Sequence, residues 1–211
     1  MNTLVEYRAS FFKKVRNFFD ERGSLEVDPP ALSTYAPIDS FIDPFLTTNG
    51  KFLHTSPEYA MKRLLVSYAK DIYFLGHVFR KEEFGSRHNS EFTMCEWYKT
   101  NTNETEFLNE VLSFISLFLG DQPYEILSYD EAFFAYAKRT DIDTKGWSEE
   151  ERRHYIWATF VEPNFGKDKI TVITNFPKET FGVACGFDRL LMLSAKKTNL
   201  KDILLFNDET I

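Results

Sequence analysis

Residues 72–98 read IYFLGHVFRKEEFGSRHNSEFTMCEWY, and this stretch decides the fold class. Two apolar-rich runs, residues 72–79 and 91–98, flank a charged segment that contains a glycine. Runs of this length that are rich in aromatic and β-branched residues are typical of strands. The stretch therefore predicts an antiparallel hairpin with a long loop at residues 81–90.

The rest of the chain alternates helical and extended patterns around this hairpin. Helical spacing of apolar residues or helix-start signals predict helices at residues 3–22, 56–69, 104–119, 129–138 and 148–160. Ser56 is expected to cap the second helix, and Ser148 with Glu151 forms a capping box for the last. Residues 169–176 predict a strand, and FGVACGFDRLLMLSA predicts a strand that turns at Gly186 into a helix. This mixture, with its antiparallel hairpin, predicts an α+β fold.

The composition excludes several classes of protein. The chain has 211 residues and a formal net charge of −7 without a basic run, which argues against holding nucleic acid by broad phosphate neutralisation. No apolar stretch reaches the roughly 18 residues of a membrane span, and the charged N-terminus is unlike a signal peptide. Cys95 and Cys185 form no CxxC pair, so we expect a reducing cytoplasm. The length suits a single domain over residues 1–211.

The hairpin offers groups that suit a nucleotide. Arg80 and Glu82 are expected two apart on a strand, so that their side chains project from one face. A guanidinium is shaped to bind phosphate or carboxylate, and a glutamate can accept a hydrogen bond from an exocyclic amine. Phe92, on the returning strand, supplies a ring that can stack on a base. The alternative is a solvated, charged hairpin with a few core aromatic residues.

Two further sets of residues extend the pattern. Arg189 lies at the start of the last predicted helix, behind GVACG, whose small residues permit close approach of the backbone to a phosphate. Glu96 and Tyr98 share a strand face by the two-residue period, and Glu58 lies in the first turn of a helix. An acidic and phenolic lining would suit a doubly cationic amino acid. Each feature also has a structural explanation, such as tight packing or a favourable helix dipole.

Taken together, these segments resemble the three motifs of the class II aminoacyl-tRNA synthetases in their lysine-type form. RNFFDERGSLEVDPPALS is similar to motif 1, with Pro30 in the place of the motif proline, FRKE…RHNSEFTMCEWY to motif 2, and GVACGFDRLLML to motif 3. HTSPEYAMKRLL, LSYDEAF and VEPNFGKDK resemble the paralogous elongation factor P lysine ligases. The resemblance implies a class II catalytic domain, an antiparallel sheet flanked by helices, without the anticodon-binding domain of lysyl-tRNA synthetases.

The resemblance also implies roles for individual residues. The ATP site would be formed by Arg80, Lys81, Glu82, Asn89, Phe92, Gly186 and Arg189. Arg80 would hold the α-phosphate and the substrate carboxylate, and Arg189 the γ-phosphate, so these two are the implied catalytic residues. Phe92 would stack on adenine, and Glu82 would accept from its amino group. The amino-acid pocket would be formed by Ser56, Pro57, Glu58, Tyr98 and Ala184.

A reaction and its partners follow from the same resemblance. Lysine or (R)-β-lysine would be activated with ATP and Mg²⁺ as an adenylate and then transferred to a lysine side chain of elongation factor P. A tRNA is not expected as a substrate. A homodimer is implied because motif 1 usually forms the dimer interface in this class.

The chain departs from the family pattern just before motif 3. NFPKET runs directly into FGVACGFDR, where the family has a strand whose glutamates bind Mg²⁺, ATP and the substrate amine. We therefore expect a sheet that lacks one central strand, and the metal ligands stay unassigned. Three explanations remain open: a non-catalytic paralogue that binds ATP or lysine and regulates a partner, a metal site reorganised around Glu96 or Asp188, or an internal deletion.

Overall fold

The structure is a computed structural model that describes residues 2–35, 42–81, 85–137, 145–174 and 182–205. The chain divides into two compact units, Met1–Gly120 with Phe181–Ile211, and Asp121–Thr180. The first contains α1 (Asn2–Asp20), β1 (Leu25–Glu26), β2 (Leu32–Ser33), β3 (Phe52–Leu53), α2 (Glu58–Tyr68), β4 (Ile72–Phe79), β5 (Glu91–Tyr98), α3 (Glu104–Leu119), β8 (Gly182–Gly186) and α6 (Phe187–Ser194). The second contains β6 (Tyr124–Ser128), α4 (Tyr129–Tyr136), α5 (Glu149–Ile156) and β7 (Ile170–Thr174). The single domain expected from the sequence stays a prediction.

The central sheet is built on the predicted hairpin. β4 and β5 pair antiparallel, from Ile72 opposite Tyr98 to Phe79 opposite Glu91, with the bounds that the sequence predicts. β1 adds to β4 in parallel and β8 adds to β5 antiparallel, which gives the strand order β1-β4-β5-β8. Within the described ranges, β8 pairs directly with β5 and forms an edge of this sheet. The α+β class is confirmed.

Helices α1 and α3 cover one face of the sheet. The apolar side of α1 is buried there through Phe11, Val15, Phe18 and Phe19. Phe19 stacks on Tyr73 of β4, with 4.2 Å between the ring centroids. The amphipathic pattern in the sequence thus stabilises the fold, because the apolar side of the helix is removed from water when it packs against the sheet. No helix in the described part of the chain is long and apolar enough to cross a membrane.

Helix α2 covers the opposite face of the sheet. The cluster beneath it contains Met61, Ile72, Phe74, Val78, Met94 and Tyr98. The expectation that Ser56 caps this helix is wrong by one residue, since Pro57 occupies the N-cap position and no side chain caps it. Ser56 Oγ instead accepts a hydrogen bond from the Glu58 amide at 3.1 Å and donates one to Glu96 at 2.7 Å. Ser56 therefore connects the start of the helix to the central sheet.

The second unit contains a strand pair of which the sequence showed only one member. β7 lies within the predicted run at residues 169–176, and β6 pairs with it in parallel. The short stretch YEILS alone does not predict β6, because its partner strand is about forty residues away and no local turn signal links the two. The capping box of Ser148 and Glu151 is confirmed, with both of its hydrogen bonds present at the start of α5.

Candidate active site

The candidate site lies on the α2 face of the central sheet. Residues directly opposite each other in an antiparallel pair point to the same face. Here β5 presents larger side chains and β8 only small ones: Met94 is opposite Gly186, Glu96 opposite Ala184, and Tyr98 opposite Gly182. A Cβ atom at Gly182 would overlap Cε1 of Tyr98, so a side chain there would displace this ring. The small residues of GVACG therefore allow the larger side chains of β5 to lie across β8.

A cavity of about 180 Å³ lies on this face. Its walls are formed by Arg80, Arg87, His88, Asn89, Phe92, Met94, Ala184, Gly186, Asp188, Arg189 and Leu200. Most residues predicted for ATP are thus brought together, although they come from segments about a hundred residues apart. Lys81 does not line the cavity, and Glu82 lies outside the described residues.

Arg80 is placed just beyond the end of β4. The strand ends at Phe79, so the prediction that Arg80 projects from a strand face is wrong. The Arg80 amide still donates to the Ser90 carbonyl oxygen at 2.8 Å, which keeps the two arms of the hairpin paired at this point. The guanidinium lies 5.2 Å from the centre of the Phe92 ring, and Nε donates to the Thr55 carbonyl oxygen at 3.3 Å. These contacts hold its charge at the cavity wall.

Arg189 lies in the first turn of α6, as predicted. Its Nη2 donates to the Arg87 carbonyl oxygen at 3.3 Å. The Leu200 amide, farther along the chain, donates to the Ser86 carbonyl oxygen at 2.8 Å. The loop of the hairpin is thereby held to the segment that begins with α6. Three arginines around one small cavity create a positive potential that suits a polyanion such as a triphosphate.

A buried carboxyl group follows Met94 on the same face of β5. Glu96 is only 2% exposed. Its Oε2 accepts a hydrogen bond from the Ser56 hydroxyl and its Oε1 from the Tyr98 hydroxyl, each at 2.7 Å. Ser56 and Tyr98, both predicted for the amino-acid pocket, are brought together by a residue that the predicted site omits. The sequence feature that indicates Glu96 as a site residue is the two-residue period of the strand, which places Glu96 and Tyr98 on one face.

The remaining predicted pocket residues lie around this group. Glu58 is in the first turn of α2, where its Oε1 binds Lys62 Nζ at 2.5 Å. Pro57 begins the same helix. Ala184 is opposite Glu96 in the sheet and also lines the arginine-lined cavity. Because Ala184 neighbours both, the Glu96 carboxyl group and the arginine-lined cavity lie next to each other on the same face of the sheet.

Burial sets the protonation of this group. Removal from water raises the pKa of Glu96, and the nearby negative charge of Glu58 raises it further, against the hydrogen bonds from Ser56 and Tyr98. Burial and the adjacent Glu96 also raise the pKa of Tyr98, so its hydroxyl remains a donor. A cation placed beside Glu96 would favour its ionised form. The site is therefore suited to an ammonium group.

Replacing Glu96 by Gln is expected to flatten the pH dependence of stability. Because its folded-state pKa lies above the ordinary 4.5, this carboxyl stabilises the fold at low pH, and the contribution is lost as pH rises through the folded pKa. The free energy of unfolding of Glu96→Gln should therefore rise relative to the wild type across that window and level off above it. Urea unfolding of both proteins between about pH 4 and pH 8 measures this difference. A difference independent of pH would contradict the prediction.

The two acids considered for a reorganised metal site are bound to protein groups. Asp188 accepts from Arg8 Nη1 at 2.5 Å and from the Thr93 amide at 2.7 Å, whereas Glu96 is held by two hydroxyls. Among the residues that the structure describes, no group of three or more His, Cys, Asp or Glu side chains is placed to hold a metal ion. Both carboxyl groups are therefore engaged by the protein, and no ligand of Mg²⁺ is assigned among them.

The chain is similar to a known family model and to several curated proteins. The sequence model of tRNA synthetases class II (D, K and N) matches residues 1–181. The elongation factor P–(R)-β-lysine ligase of Pasteurella multocida is 37% identical over 196 residues, which cover 81% of this chain and 61% of that protein. The proteins of the same name from Haemophilus ducreyi and Salmonella typhi are 36% identical over 211 residues and 35% over 205, covering 87% and 84% of this chain.

The shared region is shorter than these relatives. It covers 64% of the Haemophilus ducreyi protein and 63% of the Salmonella typhi protein. The chain thus spans less than two thirds of the length of the curated relatives that it matches.

Proposed function

The chain belongs to the class II aminoacyl-tRNA synthetases of the D, K and N type, and from this premise we propose that it is a ligase that activates lysine or (R)-β-lysine with ATP and transfers it to a lysine side chain of elongation factor P. One observation carries the proposal: a single face of β5 and β8 holds both the arginine-lined cavity and the buried carboxyl group of Glu96. The first suits a triphosphate and the second an ammonium group. The names of the similar proteins support the acceptor.

In the first step, a carboxylate oxygen of the amino acid attacks the α-phosphorus of ATP in line, and pyrophosphate leaves. Arg80 holds the α-phosphate and the carboxylate, and Arg189 holds the γ-phosphate. Both therefore position the reactants and stabilise the charge that develops. Phe92 stacks on adenine, whose amino group donates to Glu82. Lys81, Asn89 and Gly186 are assigned to the same nucleotide.

In the second step, the side-chain amine of the acceptor lysine attacks the acyl carbon, and AMP leaves. Class II synthetases use ATP with Mg²⁺ in general. Arginines are assigned to the phosphates here, and the ligands of Mg²⁺ stay unassigned.

The amino-acid pocket is assigned to residues around Glu96. Glu96 and Glu58 provide negative charge for a substrate that carries two ammonium groups. Ser56 and Tyr98 orient the Glu96 carboxylate, because each donates to one of its oxygens. Pro57 fixes the start of α2 beside them, and Ala184, opposite Glu96, leaves space for the substrate chain.

The proposed setting is a cytoplasmic homodimer that does not act on tRNA. Cys95 and Cys185 are free thiols, as a reducing compartment would keep them. A net charge of −7 is unfavourable for wrapping RNA. The resemblance of the segment around Pro30 to motif 1 supports the dimer.

ATP–pyrophosphate exchange tests the proposed chemistry. We expect exchange that depends on added L-lysine or (R)-β-lysine, tested separately, and that is lost in Arg80→Ala. Arg63→Ala is the matched control, because Arg63 is an exposed arginine of α2 that lines a different groove. Exchange at the wild-type rate in this control would show that the loss of exchange in Arg80→Ala is not caused by removal of just any arginine.

Absence of exchange with either amino acid, together with measurable ATP binding, would contradict ligase activity. The chain would then be a nucleotide-binding paralogue without catalysis. Exchange followed by transfer of labelled amino acid to elongation factor P, and not to a variant lacking the modified lysine, would support the acceptor.

A further inference from the structure

A buried ion pair joins the first helix to the first turn of the last. Arg8 Nη1 binds Asp188 Oδ1 at 2.5 Å, and the two side chains are only 12% and 2% exposed. The Arg8 guanidinium also lies over the rings of Phe12 and Phe187, at 5.2 and 5.3 Å from their centres. The two residues are 180 positions apart in the sequence, so the fold alone brings them together.

Thr93 of β5 closes this pair into a triangle. Arg8 Nη2 donates to Thr93 Oγ1 at 2.8 Å, and the Thr93 amide donates to Asp188 Oδ2 at 2.7 Å. Both carboxylate oxygens of Asp188 thus accept hydrogen bonds, one from α1 and one from the central sheet. A buried charge with satisfied partners holds its geometry firmly, because any displacement would leave it unpaired.

The triangle anchors the part of α6 that carries Arg189. No side chain caps this helix, and its N-cap residue is Gly186. Arg189 is exposed, and its bond to the Arg87 carbonyl oxygen is long at 3.3 Å. Asp188, the residue before it, attaches this turn to α1 and to the central sheet, beside the buried ring of Phe187, and both Asp188 and Arg189 line the cavity.

Stability alone is a weak reason for such a pair. Replacement of a buried ion pair by apolar residues of similar volume is often neutral or stabilising. The position of this pair, directly beside a cationic side chain of the candidate site, offers a functional reason instead.

We propose that Arg8 is a positioning residue for nucleotide binding: through Asp188 it holds the first turn of α6 so that Arg189 faces the phosphates. The inference rests on the proposed function for the identity of the nucleotide. It adds a residue of the first helix, outside the cavity wall, to those on which ATP affinity depends.

The test compares ATP affinity with thermal stability in the full chain. Isothermal titration with ATP in a Mg²⁺ buffer is applied to Arg8→Met, to Arg8→Lys and to the double variant Arg8→Met with Asp188→Asn. Arg16→Ala is the matched control, since Arg16 lies on the same helix, also contacts Phe12, and forms an exposed ion pair with Glu26.

Arg8→Met is expected to weaken ATP binding by about tenfold or more, because a displaced phosphate-binding group loses most of its interaction. Arg8→Lys should recover part of the loss, since an ammonium group can reach Asp188 but lacks the planar fork that also binds Thr93. Arg16→Ala should bind ATP as the wild type does. The double variant leaves no unpaired carboxylate, so it should regain melting temperature and still bind ATP weakly.

The inference would be overturned by wild-type ATP affinity in Arg8→Met, or by recovery of affinity in step with melting temperature in the double variant. The latter would mark the pair as purely structural. The outcomes also separate this inference from ligase activity. Wild-type protein that binds ATP without pyrophosphate exchange would refute the ligase but not the role of Arg8, whereas normal exchange and binding in Arg8→Met would refute only the role of Arg8. A wild-type chain that binds no ATP would refute both.

Discussion

Replacing Arg189 by Ala is expected to reduce pyrophosphate exchange by about 10²–10³-fold and to leave the melting temperature nearly unchanged. The catalytic loss follows from the position of Arg189 at the cavity, where its charge would stabilise the phosphates during transfer. Stability should persist because the side chain is exposed and its truncation leaves no charge buried without a partner.

Steady-state exchange kinetics measured against ATP concentration check this prediction. Arg189→Lys is an informative companion, since it keeps the positive charge but loses the planar fork for phosphate oxygens, and intermediate activity is expected. Unchanged turnover and KM for ATP in Arg189→Ala would remove Arg189 from the nucleotide site. A large drop in melting temperature would point instead to a role in folding.

Replacing Phe19 by Ala is expected to lower the free energy of unfolding by about 3–5 kcal/mol. Phe19 is completely buried, and its ring contacts Tyr73 at 4.2 Å, Trp97 at 5.3 Å and Phe114 at 5.8 Å between centroids. The substitution removes apolar surface and leaves a cavity that these rigid rings cannot fill. Since a domain is stable by only about 5–15 kcal/mol, the loss is a large fraction of the total.

Denaturant unfolding followed by circular dichroism measures this loss. Phe134→Ala is the matched control, because 91% of the Phe134 side chain is exposed and its truncation should change the free energy of unfolding by less than about 0.5 kcal/mol. Equal losses in the two variants would contradict the burial of the apolar side of α1 against the central sheet.

Much of the fold could be predicted because its signals are local. The bounds of β4, β5 and α3 follow from runs of apolar residues and their spacing, and the α5 capping box follows from two residues three apart. Phe92, Gly186 and Arg189 could be predicted for one site from their resemblance to known motifs, and one cavity brings them together.

Other features had no local signal. β6 depends on a distant partner, so its sequence alone does not identify it. The start of α2 differs from the prediction because Ser56 also bonds to Glu96, forty residues away. Arg80 lies one residue beyond the end of β4 at Phe79, although its amide still bonds to Ser90 on the other arm of the hairpin.

By itself, the sequence determined the hairpin, the main helices and the chemical types of residue available to a ligand, because periodicity, capping and turn preferences act over a few neighbouring residues. Only the tertiary structure decided which charged groups are buried and which groups they pair with. Glu96 became a buried acceptor between two hydroxyls, and Asp188 became the ion-pair partner of Arg8. Burial and pairing depend on long-range contacts, and these determine whether a carboxylate is solvated, protonated or ion-paired.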